Sequence, residues 1–203
     1  MKRLPTYVLF LCAAVATSAC KKDEAKPAAI DPAAKPAAEP AAAAAKKDTC
    51  ISPVTPGGPK QTVTINGATY ERDGYKLTRT TSDPDDSIVL GIISDVKEET
   101  EENLRNVKAA LEYFTENKAE IVVFLGDSSE TQAGVTKVLK ALSASPLPVF
   151  AIIGNRECRT HWVEGMKEAQ KDAPNLFDFT QIRLFNSDDV SIISLPGYYN
   201  PTY

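Results

Sequence analysis

Three short polar clusters hold the residues of this 203-residue chain that could do chemistry together: Ser94-Asp95-Val96-Lys97, Gly126-Asp127-Ser128 and Gly154-Asn155-Arg156-Glu157. Asp95, Asp127 and Asn155 offer two carboxylates and an amide oxygen, which are hard donors suited to Mg²⁺, Mn²⁺ or Ca²⁺. Lys97 and Arg156 beside them suit an anion instead. A lysine must lose its proton before it can ligate a metal, but its ammonium can sit where a cation would sit, and the arginine fork matches phosphate or carboxylate oxygens. The single histidine, His161, excludes any site built from several imidazoles. Placed next to Trp162 at the start of a predicted helix, it reads as a surface or capping residue.

The elements that must position these clusters are legible in the hydrophobic pattern. Ile88–Ile93 is a continuous apolar run of strand length, as expected for a strand buried on both faces of a largely parallel sheet. Glu98–Lys118 carries Leu104, Val107, Leu111 and Phe114 at helical spacing, and its acidic start (Glu98, Glu99, Glu101, Glu102) fits a helix N-terminus. Strand Ile121–Leu125 comes next, then a helix over Glu130–Ser143, a strand over Val149–Ile153, a helix over Thr160–Lys171, and two β segments, Gln181–Phe185 and Val190–Leu195. Each polar cluster therefore falls at the carboxyl end of a strand, where open α/β sheets bind ligands. Glycine before the polar residue in two of the three allows a sharp turn there. Ahead of this unit, residues 61–80 read as a β-meander with hairpin signals at Asn66-Gly67 and Asp73-Gly74. The meander is expected to pack on an edge of the α/β unit.

The order Asp-x-His, Gly-Asp, Gly-Asn-His-Asp/Glu, each at the end of an apolar strand, is the signature of the calcineurin-like metallophosphoesterase superfamily. This chain resembles it at Asp95, Gly126-Asp127 and Gly154-Asn155 with Glu157. The resemblance implies an α/β fold, a layered αβ(β)α sandwich over residues 87–203, and hydrolysis of phosphate esters by two metal ions (Mn, Fe or Mg). In that frame Asp95 binds the first metal, Asp127 bridges both, and Asn155 binds the second and touches substrate phosphate. Two family histidines are replaced: Lys97 stands at a ligand position and Arg156 at the catalytic one. The family's later histidine ligands have no counterpart before Tyr203. Three oxygen donors are too few to clamp two ions about 3.5–4 Å apart. The segment is thus either the N-terminal part of a longer domain or a fold whose metal centre has decayed. In the second case Lys97 and Arg156 balance Asp95 and Asp127, and with Asn155 they form a metal-poor cleft for a phosphate ester or other anion.

Composition and the N-terminal region supply the setting. A net charge of −4 argues against a nucleic-acid partner, which requires a basic face. Met1-Lys2-Arg3 and the apolar stretch Tyr7–Ala16 form a secretory signal over 1–19, too short to span a bilayer. Thr17-Ser18-Ala19-Cys20 resembles a bacterial lipobox, which implies lipidation of Cys20 and anchoring at the periplasmic face of the outer membrane or the cell surface. Residues 20–49, rich in Ala, Pro and Lys, form a spacer. Residues 50–86 hold the meander. Cys50 and Cys158 either pair or remain two buried thiols. An exposed terminal strand would invite pairing with a second copy, so a homodimer through a sheet edge is a further expectation.

Overall fold

Asn66 and Gly67 turn the chain back on itself, with φ of 49° and 81°, both positive as a type I′ hairpin turn requires. Around them β1 (Gln61–Ile65) pairs antiparallel with β2 (Ala68–Asp73), Ile65 lying opposite Ala68. The second turn sits one residue later than the Asp73-Gly74 signal suggests. Asp73 pairs with Lys76 at the start of β3 (Lys76–Arg79), so Gly74 and Tyr75 are the central residues, and Gly74 alone of the two is left-handed.

From Leu90 onward the order is βαβαβαβ: β4 (Leu90–Ile93), α1 (Glu101–Glu116), β5 (Ile121–Phe124), α2 (Gln132–Ser143), β6 (Val149–Ala151), α3 (Arg159–Ala169) and β7 (Leu176–Asp178). The four strands form one parallel sheet in sequence order, β4-β5-β6-β7. Right-handed crossovers that all step in one direction would put every helix on one face. The packing agrees: Val107 and Leu111 of α1, Val135, Val138, Leu139 and Leu142 of α2, and Trp162 and Met166 of α3 share a core with Val122, Phe124, Val149 and Ala151 of the sheet. Gly91 lets α1 settle on β4, because a Cβ there would overlap the Phe114 ring.

The last two strands, β8 (Leu184–Asn186) and β9 (Ser191–Ile193), do not extend the parallel sheet. β8 pairs in parallel with β3, giving a second, mixed sheet of order β1-β2-β3-β8-β9. The meander thus belongs to a sheet that lies over a face of the parallel one, rather than sitting at its edge. Between the sheets Tyr70, Leu77 and Phe185 meet Ile121, Phe150 and Phe177 in a second core. The architecture is mixed α/β, with three helices, a parallel sheet and a mixed sheet in successive layers among the described residues. The computed structural model describes residues 56–83, 85–188 and 190–196, all within the unit Ala44–Tyr203. The expected signal peptide and spacer, with Cys20 and Cys50, lie outside the described residues. Among the described residues no helix is long and apolar enough to cross a membrane.

Two expectations from the sequence pattern are corrected by the fold, and one strand appears that the pattern did not show. The run Ile88–Ile93 is not a strand buried on both faces: β4 is an edge strand, and Ile92 is 56% exposed. An apolar run fixes a strand but not its place in the sheet. β7 has no counterpart among the expected strands, because three residues are too few for a period to show. Finally, α1 begins after Thr100, whose hydroxyl accepts from the Asn103 N–H at 3.2 Å, so only Glu101 and Glu102 occupy its first turn. Glu98 and Glu99 belong to the loop.

Phe150 is the centre of the inter-sheet core. Its ring stacks on Phe179 at 4.1 Å and meets Phe185 and Phe177 edge-on at 5.0 and 5.7 Å. Phe150→Ala is expected to lower the free energy of unfolding in urea by about 3–5 kcal/mol, because the surrounding rings cannot collapse into the space.

Candidate functional site

The loops that leave β4, β5 and β6 at their carboxyl ends are knitted together by their own backbones. The Asp95 N–H donates to the Gly126 carbonyl at 3.1 Å, and the Lys97 N–H to the Asp127 carbonyl at 2.8 Å. Asp127 returns a side-chain contact, its Oδ1 accepting from the N–H groups of Asn155 (2.9 Å) and Arg156 (3.2 Å). The loop after β5 is therefore the hub. Gly126 and Gly154 are required for so close an approach, since a Cβ on Gly126 would overlap the Gly154 backbone and one on Gly154 would overlap the Asp127 carboxylate. Asp95, Lys97 and Asp127 all adopt left-handed backbone, with φ of 56°, 65° and 59°. Aspartate tolerates this conformation, but for lysine it costs about 1–2 kcal/mol. Backbone strain held in place by its surroundings clusters at functional sites.

What holds it is Glu157, only 4% exposed. Its Oε2 accepts from the Gly154 N–H at 2.9 Å and the Asp127 N–H at 3.3 Å, and its Oε1 accepts from the Ser128 N–H and, at 2.7 Å, from the Ser128 hydroxyl. The motif includes Glu157 without implying a role for it. Here it is the buried clamp of the loop after β5. Cys158 next to it is disulfide-bonded, with its partner outside the described residues, and it precedes α3 as the N-cap residue.

The residues singled out from sequence separate into two groups. Asp95, Asp127 and Asn155 sit on the knitted loops, where Asp95 Oδ2 accepts from the Ser94 hydroxyl at 2.5 Å. Lys97 and Arg156 instead line a neighbouring cavity of ≈ 470 Å³. Lys137 joins them, and so do Glu98, Glu99 and Glu130 and the hydroxyl residues Thr100, Ser129 and Thr131. Thr100 and Thr131 are the N-caps of α1 and α2, so both helix N-termini border the cavity. Its acids are partly committed. Glu99 Oε2 accepts from the Ser129 hydroxyl at 3.0 Å, and Glu130 Oε1 pairs with Arg156 at 2.6 Å, a bond that raises the arginine pKa. His161 Nδ1 lies 2.7 Å from the Glu130 carbonyl.

The donors do not fit a two-metal centre. Asp127 Oδ1 already takes two amide hydrogens, Lys97 offers an ammonium that must lose its proton before it can ligate, and among the described residues no three His, Cys, Asp or Glu side chains gather as a metal site would require. The fourth parallel strand also ends in a carboxylate. Asp178 is 2% exposed; its Oδ1 accepts from Trp162 Nε1 at 3.2 Å and the Thr180 N–H at 3.0 Å, while Oδ2 has no hydrogen-bond partner among the described residues. Burial raises its pKa above the ordinary value of 3.8, and burial likewise lowers that of Arg72, which faces it electrostatically. No sequence signal pointed to Asp178, because β7 itself was not legible.

No protein-family model matches the chain, and neither a curated protein nor a solved structure matches it.

Glu157→Gln would set an amide NH₂ against N–H donors, and should lower stability by roughly 1.5–3 kcal/mol in denaturant titration, the range for hydrogen bonds to a charged group. Asp178 should leave its mark on the pH dependence of stability. A carboxyl whose folded pKa is raised binds more protons folded than unfolded, so its contribution to stability is fully present below pH 3.8 and is lost as pH rises through the folded value. Asp178→Asn should flatten that part of the stability–pH profile, measured by urea titration from pH 3.5 upward.

Proposed function

We propose that the chain is a metallophosphoesterase-like module, exported and anchored to the outer membrane through a lipid on Cys20, that binds a phosphate-type anion without hydrolysing it. The observation that carries this reading is the meeting of Lys97 and Arg156 in one cavity, with Lys137 and the N-caps of α1 and α2 around them. Each part has a known affinity for phosphate oxygens. Helix N-termini present unpaired N–H groups and the positive end of the dipole, the guanidinium presents a planar fork, and the ammonium adds a point charge. Asp127 supports the cavity by fixing the Arg156 backbone, not by offering an oxygen to a metal.

A second reading is hydrolysis of phosphate esters at a divalent-metal centre on Asp95, Asp127 and Asn155, with further ligands supplied from elsewhere. The backbone bonds that bring the Asp95 loop onto the Asp127 loop favour it, since they gather the two carboxylate-bearing strand ends.

Titration calorimetry with inorganic phosphate and a hydrolysis assay with phenyl phosphate and Mn²⁺ separate the two. The binding reading expects a one-to-one complex, weakened roughly tenfold by Lys97→Ala or Arg156→Ala, as loss of one charged hydrogen bond implies, and no phosphate release. Turnover of phenyl phosphate by the unmodified chain would favour the enzyme, and absence of phosphate binding would remove the first reading.

A further inference from the structure

The cation expected to hold the anion is already holding one. Arg156 Nη2 bonds the Glu130 carboxylate at 2.6 Å, and both side chains border the same cavity. Glu130 is not there by the chance swing of a long side chain alone. Its backbone is pinned from two directions: its carbonyl oxygen lies 2.7 Å from His161 Nδ1 on α3, and the next residue, Thr131, is the N-cap of α2, accepting from the Gly134 N–H at 3.0 Å. Arg156 is fixed in turn through its N–H to Asp127. Two anchored backbones thus keep the carboxylate and the guanidinium within reach of each other in the lining of the cavity.

From this geometry, and resting on the anion-binding reading above, we propose that Glu130 is an internal competitor for Arg156, a carboxylate that must be displaced before an external anion gains the arginine fork. The residue therefore sets the affinity of the cavity, while its preference among anions comes from Arg156 and Lys97. A mono-anion with one oxygen pair offers Arg156 little that Glu130 does not, whereas a phosphate dianion brings more charge and a third oxygen for Lys97. The pair is exposed on the Glu130 side, so the displacement is inexpensive. The ligand class favoured is a phosphate monoester dianion over a carboxylate.

The test is calorimetric titration of the full chain with inorganic phosphate and with acetate, using Glu130→Gln and, as a control for simple loss of negative charge, Glu98→Gln, which lines the same cavity without touching Arg156. Glu130→Gln should bind phosphate about two- to fivefold more tightly than the unmodified chain and should gain acetate affinity by a similar factor, because either anion displaces the same carboxylate. Glu98→Gln should gain less. In an Arg156→Ala background the advantage of Glu130→Gln over Glu98→Gln should vanish. Thermal melting establishes that each variant is folded. If the unmodified chain binds phosphate and Glu130→Gln gains no more than Glu98→Gln, the competitor role is overturned while the binding reading stands. If no variant binds phosphate, the binding reading fails and the competitor role falls with it.

Discussion

Glu157 brings a carboxylate out of water and meets it with three backbone N–H groups and a serine hydroxyl, and the arrangement of the whole carboxyl edge depends on that exchange. Burying a charged carboxylate is costly unless its oxygens are satisfied. Here the donors come from Asp127, Ser128 and Gly154, so one side chain binds the loop after β6 to the loop after β5. The Asp127 side chain makes the reciprocal contact, and its carbonyl draws in the loop after β4 through Lys97. Those bonds keep Lys97 and Asp127 in left-handed backbone against their intrinsic preference. The glycines at 126 and 154 are the steric condition for the same knot.

Because the knot consumes carboxylate oxygens internally, it divides the edge into two regions of different chemistry. On the inside, acids face amides and hydroxyls. On the outside, Lys97, Lys137 and Arg156 share a cavity with two helix N-termini and with glutamates that are partly engaged. A two-metal hydrolase needs the first region rich in ligands not already engaged by the protein, whereas a phosphate-binding protein needs the second. The placement of Lys97 and Arg156 in that cavity and the hydrogen bonds to Asp127 point the same way, which is why the anion-binding reading is preferred.

Much of this was readable from the chain, and what was not has physical causes. Asn66-Gly67 specified its turn because both positions need positive φ, and few other residue pairs accept that. The three polar clusters could be assigned to strand ends because long apolar runs precede them. The sequence did not show that Ile92 would be exposed, since an edge strand and a central strand can carry the same apolar run. Nor did it show that β8 and β9 would join the meander, because that pairing spans more than a hundred residues and leaves no local trace. β7 was too short to register, and Asp178 was missed with it. Within the site, residue types were enough to single out Lys97 and Arg156. Their separation from Asp95 and Asp127 into a cavity of their own depends on where each backbone turns, and so does the contact between Arg156 and Glu130.

Anion binding without a metal centre is tested most directly by an ¹⁵N-resolved titration of the protein, first with inorganic phosphate and then with Mn²⁺. The predicted result is that phosphate shifts the amide signals of residues 97–100, 129–131 and 156, while stoichiometric Mn²⁺ leaves the amides of Asp95, Asp127 and Asn155 unbroadened. Mn²⁺ broadening confined to those three residues, with no phosphate response around Lys97 and Arg156, would contradict it.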